Sequence, residues 1–219
     1  MLLSFPKGSL LAVVILANSC SFCNGFSGIN ISQNIFINSS LGLKALPFDA
    51  VSVGLDTKAE GISEQACADA AAKVVRVNVP VAESVSDSKT VGISYINWKP
   101  ETPKKNTLPL LLVHGFDSSC LEYRRLGPKL AALGIDTYAV DLLGWGYSQL
   151  NGVKSFSAQA KVDALAGFWS VVGEGRDVCV AGASLGGAAA IEFSAGNPDV
   201  KACVFIDAQG KSKSVESFC

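Results

Sequence analysis

Short apolar runs at residues 108–113, 137–140, 178–181 and 202–206, with stretches of helical periodicity between them, constrain the fold more than any other feature of this chain. A run that stays apolar at successive positions suits a strand covered on both faces, because a strand with one wet face would alternate. Between the runs, Leu126, Leu130 and Leu133 fall on one helical face that Gly134 closes. Val162, Leu165, Trp169 and Val172 form a second face, with Ser157 as its N-cap. A third helix is expected from Leu185 to about Asn197, since Pro198 disfavours helical backbone in the residue before it. Two β-rich stretches, 74–81 and 91–98, precede this pattern and flank a polar turn region at 84–89, as in a hairpin whose first strand Pro80 steers toward a sheet edge. The expected class is α/β, a mainly parallel sheet with helices on both faces and about six strands.

The chain divides unevenly. No Asp or Glu occurs before Asp49, and an apolar stretch from Leu10 to Ala17 follows a single early lysine. Eight residues reach only about 12 Å as a helix against a hydrocarbon core near 30 Å, so the stretch suits a signal peptide rather than a stable membrane span. Residues 1–25 are therefore read as a signal peptide, and 26–72 as a Ser- and Asn-rich, transit-like leader with a connector. The two-part leader, with Phe26 at its break, points to a plastid; secretion or the endomembrane lumen is the alternative. The globular domain is placed at 73–210 and an irregular polar tail at 211–219.

A net charge of −1 with scattered Lys and Arg offers no stripe for a nucleic-acid backbone. The cysteines at 20, 23, 67, 120, 179, 203 and 219 lack zinc-site spacing, and with one histidine in the chain no metal or organic cofactor is expected.

Chemistry concentrates in Gly182-Ala183-Ser184-Leu185-Gly186, which follows an apolar run and opens the third helix. A G-x-S-x-G match is informative in this context, because a strand that turns directly into a helix leaves no room for a Cβ at either flank and projects the serine out of the sheet. The helix N-terminus also aims N–H groups at that point.

A second signal is Val113-His114-Gly115-Phe116-Asp117 at the end of another strand, and a third is Asp141-Leu142-Leu143-Gly144-Trp145-Gly146-Tyr147-Ser148. With these motifs in this order the chain resembles the α/β-hydrolase superfamily, in particular its esterase, carbon-carbon hydrolase and cofactor-free haloperoxidase relatives. The resemblance implies Ser184 as nucleophile and the N–H groups of Phe116 and Leu185 as oxyanion donors. It implies a loop-shaping role for His114, and for Asp141 a structural one. Asp207, at the end of the last apolar run, is a weak candidate for the triad acid, and a serine rather than an aspartate nucleophile points to acyl transfer on a small, apolar ester or related compound.

The same resemblance implies a catalytic histidine after the family's eighth strand, whereas the only histidine here is His114. The expectation is thus a serine hydrolase whose base, and C-terminal third, lie outside the sequence. The alternative is a non-catalytic ligand-binding or interaction protein on a degenerate hydrolase fold.

Overall fold

The computed structural model describes residues 11–15, 51–53 and 62–208. They build one eight-stranded sheet from β1 (Leu11–Ile15), β2 (Val51–Ser52), β3 (Val75–Pro80), β4 (Thr90–Trp98), β5 (Leu110–Val113), β6 (Thr137–Val140), β7 (Val178–Ala183) and β8 (Val200–Ile206). The strand order is β1-β8-β7-β5-β6-β4-β3-β2. Strands β1, β8, β7, β5 and β6 run parallel, while β4 is antiparallel to both β6 and β3. All six expected strands are present, including the β3–β4 hairpin, and Pro80 sits at its far end, beyond the two residues that β2 covers.

The apolar runs pack as two-sided strands because alternate residues feed different clusters. Leu111 and Val113 of β5, Tyr138 and Val140 of β6, and Val178 and Val180 of β7 join one core. Leu112, Ala139 and Ala181 join the other, on the opposite face. Helices α3 (Ala158–Val172) and α4 (Leu185–Gly196) cover the first face, and α1 (Gln65–Ala71) and α2 (Leu126–Ala132) accompany the second.

Helix α3 follows the expected pattern, with Leu165, Phe168, Trp169 and Val172 buried. Ser157 caps it, its Oγ accepting the Ala160 N–H at 3.2 Å. Ser157→Ala is expected to lower stability by about 1 kcal/mol, read as a shifted denaturation midpoint at unchanged slope. An unmoved midpoint would mean that packing alone fixes the start of α3.

The structure adds to these expectations at three points. In α2, Leu126 and Leu133 are exposed, and Leu133 at 67% does not face the core at all. The helix docks through Leu130 of the expected face, which packs on the second core, and through Gly127, where an added Cβ would stand 2.2 Å from the Trp98 indole, so a small residue shares the contact. The stretch read as a connector contains α1, whose Ala70 and Ala71 are buried and whose N-cap residue Glu64 bonds to Arg124 and Arg125 at 2.8 and 2.7 Å. Residues 11–15, read from sequence as the middle of an apolar leader stretch, pair in parallel with Ala202 to Ile206 as an edge strand. The remaining leader, including Phe26 and the pair Cys20 and Cys23, and the tail 211–219 lie outside the described residues. Among the described residues no helix is long and apolar enough to cross a membrane.

Candidate active site

The chain leaves β5 toward α2 on one face of the sheet and leaves the adjacent β7 into α4 on the other. The crevice between two such carboxyl ends is where open α/β sheets place their ligands. Val113 and Gly182 are register partners, so the His114-Gly115 turn stands directly against Ala183-Ser184.

That approach explains the elbow's glycines. A Cβ on Gly182 would lie 2.3 Å from the Gly186 carbonyl oxygen, and one on Gly186 would lie 2.2 Å from the Val113 oxygen and 2.4 Å from that of His114. Ser184 itself takes φ +49° and ψ −114°, a conformation that costs a non-glycine residue on the order of 1–3 kcal/mol and persists only where its surroundings impose it. The surroundings here are the Ser184 N–H donated to the Ile206 oxygen at 3.0 Å and the Ser184 carbonyl accepting from Gly187 at 3.0 Å. A Cβ on Gly115 would come within 3.6 Å of the Ser184 Cβ, which fixes how near the turn after β5 stands to the serine.

The N–H of Phe116 follows this turn, and that of Leu185 opens α4, where first-turn donors have no carbonyl behind them. Neither donates to an acceptor among the described residues. The arrangement thus brings together three of the four residues singled out from sequence: Ser184, Phe116 and Leu185. Asp207 lies at the end of β8, one strand from Ser184, with φ +46° and an exposed side chain.

His114 is fully buried, and both ring nitrogens are committed. Nε2 accepts the Leu142 N–H at 3.1 Å, so the ring proton sits on Nδ1 and points at the Gly115 carbonyl 2.7 Å away. The imidazole ties the turn after β5 to the loop after β6 and has no nitrogen left for Ser184.

Asp141 organises that second loop from inside. One carboxyl oxygen accepts the Cys120 N–H, and the other accepts the Ser94 hydroxyl and, at 2.9 Å, the Tyr147 N–H. Gly146 is confined by the same group, since at φ +56° its added Cβ would collide with the Asp141 carboxyl at 2.2 Å. Ser148 closes the loop by donating to the Asp141 carbonyl at 3.2 Å and accepting the Ser94 N–H at 3.1 Å.

Sequence reasoning passed over the segment 117–123, which supplies further supports. Tyr123 donates its hydroxyl to the Val113 carbonyl at 2.9 Å, and burial pushes that hydroxyl well above its ordinary value, keeping it a donor. Glu122 accepts the Gly115 N–H at 3.3 Å, and Ser119 caps the short 3₁₀ turn Cys120–Tyr123. Ser119-x-x-Glu122 has the spacing of a capping box, the signal that could have found it. Burial first, and the adjacent Asp141 second, hold the Cys120 thiol well above its usual range, so it fills space rather than reacting.

A doubly covered, mainly parallel sheet with a strained serine at its switch point defines the α/β-hydrolase class. Within that class, the chain belongs to the family described as serine aminopeptidase, S33, whose model matches residues 104–214, half of the sequence. It is 35% identical over 144 residues to the alpha/beta hydrolase domain-containing protein VTE7 of Arabidopsis thaliana, covering 65% of this chain and 42% of that protein. It is 31% identical over 103 residues to Lipase 3 of Moraxella sp. (strain TA144), covering 47% of this chain and 32% of the lipase. A solved structure from Pseudomonas aeruginosa PAO1 superposes with a TM-score of 0.54 at 23% identity, over 63% of this chain and 42% of that one, a likeness of fold. The chain therefore spans less than half the length of these curated relatives.

Proposed function

We propose that this protein is a serine hydrolase in which Ser184 Oγ attacks the carbonyl carbon of a small, apolar carboxylic ester or related acyl compound. The Ser184 proton passes to a base as the oxygen attacks, the carbonyl oxygen gains negative charge between the Phe116 and Leu185 N–H groups, the alcohol departs protonated, and water later releases the acid. The single observation that carries this reading is Ser184 held at φ +49° between β7 and α4, where the turn after β5 stands against it. The likeness to an alpha/beta hydrolase domain-containing protein supports hydrolysis, and the likeness to a lipase supports an apolar substrate.

Both nitrogens of His114 are engaged with the backbone, so no base for Ser184 is assigned among the described residues, and Asp207 stays a weak candidate for the acid. Loss of a triad base costs up to about a million-fold in turnover. The chain alone is then expected to acylate slowly.

Irreversible capture makes a slow reaction readable. The chain is incubated with an alkyl fluorophosphonate, with and without added imidazole, and digested for mass spectrometry. The expected result is a phosphonyl adduct on the Ser184 peptide, formed faster with imidazole and absent from Ser184→Ala. An adduct that persists in Ser184→Ala, or none at all with imidazole present, would sink the assignment.

A further inference from the structure

The edge of the sheet opposite Ser184 holds a second concavity. The parallel strands β5, β6 and β7 begin at this edge, and the antiparallel β4 ends there. Strand β5 is four residues long, and at about 3.3 Å per residue the two edges stand roughly 13 Å apart. The cleft has a volume of about 370 Å³, the size of a small-ligand site. Its walls come from three segments: the loop 99–109 between β4 and β5, Gly134 and Asp136 ahead of β6, and Arg176 ahead of β7.

The walls are set before any ligand arrives. Pro100, Pro103 and Pro109 stiffen the loop. The Lys104 N–H donates to the Gly134 carbonyl at 2.9 Å, and the Thr107 hydroxyl donates to the Lys104 carbonyl at 2.7 Å. Gly134, at φ +85°, lies so close to the loop that an added Cβ would stand 2.9 Å from the Lys104 nitrogen. Arg176 is fixed as well, donating to the Gly173 carbonyl at 3.0 Å, to Asp136 at 2.8 Å, to the Tyr138 hydroxyl at 2.7 Å and to the Val172 carbonyl at 3.5 Å.

The charges around the cleft do not balance. Three cations line it, Lys99, Lys104 and Arg176, against the single carboxylate of Asp136. That carboxylate is already spent, one oxygen accepting from Asn97 at 2.9 Å and the other from Arg176 and the Tyr138 hydroxyl. Lys99 and Lys104 enter no ion pair among the described residues. Arg176 uses four of its five N–H groups in the bonds just given, which leaves one on Nη1.

We infer that this cleft binds a small phosphomonoester, its dianionic phosphate held by Lys99, Lys104 and the remaining Arg176 N–H, at a site separate from Ser184. A phosphate dianion presents three acceptor oxygens to donors from two separate segments and cancels the two lysine charges that no carboxylate meets. A carboxylate brings half that charge. The organic part of the ester rests on the proline wall. The inference is independent of the hydrolase reading, because no group of the elbow takes part.

The probe is phenyl phosphate, titrated into the ¹⁵N-labelled 219-residue chain, with amide shifts and calorimetry giving the place and the strength of binding. Saturable shifts are expected at Lys99, Lys104, Thr107, Gly134 and Arg176, and inorganic phosphate should compete. Lys99→Ala and Lys104→Ala should each weaken binding about ten-fold, the effect of losing one charge-assisted hydrogen bond. Both lysines are exposed, so circular dichroism should not change. Lys89→Ala removes the same charge from the β3–β4 turn at the opposite edge and should leave the affinity unaltered. Binding should also weaken between pH 7.5 and pH 5, because the second phosphate ionisation lies near about pH 6 while the lysines stay charged throughout.

An absence of saturable shifts up to about 10 mM phenyl phosphate overturns the site. So does a loss of affinity in Lys89→Ala equal to that in Lys104→Ala, which would mean attraction by net charge alone. Ser184→Ala should bind phenyl phosphate as the parent chain does. Binding that disappears in this variant would place the anion at the elbow and overturn the cleft, whereas a failed fluorophosphonate capture with intact phenyl phosphate binding would count against the nucleophile alone.

Discussion

Gly186→Ala is expected to destabilise the chain by roughly 3 kcal/mol or more and to remove whatever reactivity Ser184 has. The sign is the informative part. Gly186 lies within the first turn of α4, where alanine is ordinarily preferred over glycine by up to about 1 kcal/mol. Here the new Cβ would stand 2.2 Å from the Val113 carbonyl oxygen and 2.4 Å from that of His114, and both are backbone atoms that cannot rotate away. Relief requires α4 to lift from β5 by the better part of an ångström. Ala189, Ala190 and Phe193, all nearly inaccessible on the inner side of α4, would lose contact together. The lift also separates Ser184 from the turn after β5 that brings Phe116 beside it. Denaturant titration of the variant and the parent, with fluorophosphonate capture on both, reads the two consequences at once. A midpoint equal to or above that of the parent would mean that α4 is not seated against β5 as described.

The sheet was legible because its strands are short and apolar on both faces, so that each run stood out against the polar loops beside it. The hairpin was legible from its polar turn, and α3 from a long periodic stretch with a serine at its start. Helix α2 was legible in part: Leu130 packs on the second core as its place on the helical face suggests, but Leu126 and Leu133 are exposed, and the closest contact is that of Gly127 under the Trp98 indole, a residue that carries no hydrophobic signal. Helix α1 was hidden for a related reason. Its buried face is two alanines, and the ion pairs of its cap residue Glu64 join residues some sixty positions apart, which no local pattern contains.

Ser184 could be located because a sharp strand-to-helix turn imposes small residues at fixed offsets, and those offsets are local. The reading of His114 as a loop-shaping residue agrees with its two backbone bonds. The supports from Ser94, Glu122 and Tyr123 were not legible. They act on the ends of β5 and β6 from other strands and turns, and a serine or tyrosine in an ordinary context gives no hint of which carbonyl it will reach. The open face of Phe116 was equally hidden, because sequence shows that a residue is aromatic without showing that it is left uncovered.

Asp141→Ala is expected to cost on the order of 3–5 kcal/mol, a large part of the stability of a single domain. The carboxyl is completely buried and accepts from three donors at once: the Cys120 N–H, the Tyr147 N–H and the Ser94 hydroxyl. Removing it leaves buried donors without an acceptor, each at about 1–3 kcal/mol, and opens a void against Gly146. The values do not add fully, since the loop can shift to admit water. Asp141→Asn should cost nearly as much, because its amide presents two donors where the native group presents only acceptors. Ser94→Ala removes a single donor and should cost about 1 kcal/mol, so the ratio between the two variants separates loss of the hub from loss of one spoke. The same change has a readout at the surface. The partly buried Trp145 is carried by the loop that Asp141 pins, so in Asp141→Ala its emission should become more accessible to acrylamide. An Asp141→Ala variant that unfolds within about 1 kcal/mol of the parent would show that the 141–148 loop is held by its apolar contacts, with Asp141 a passenger.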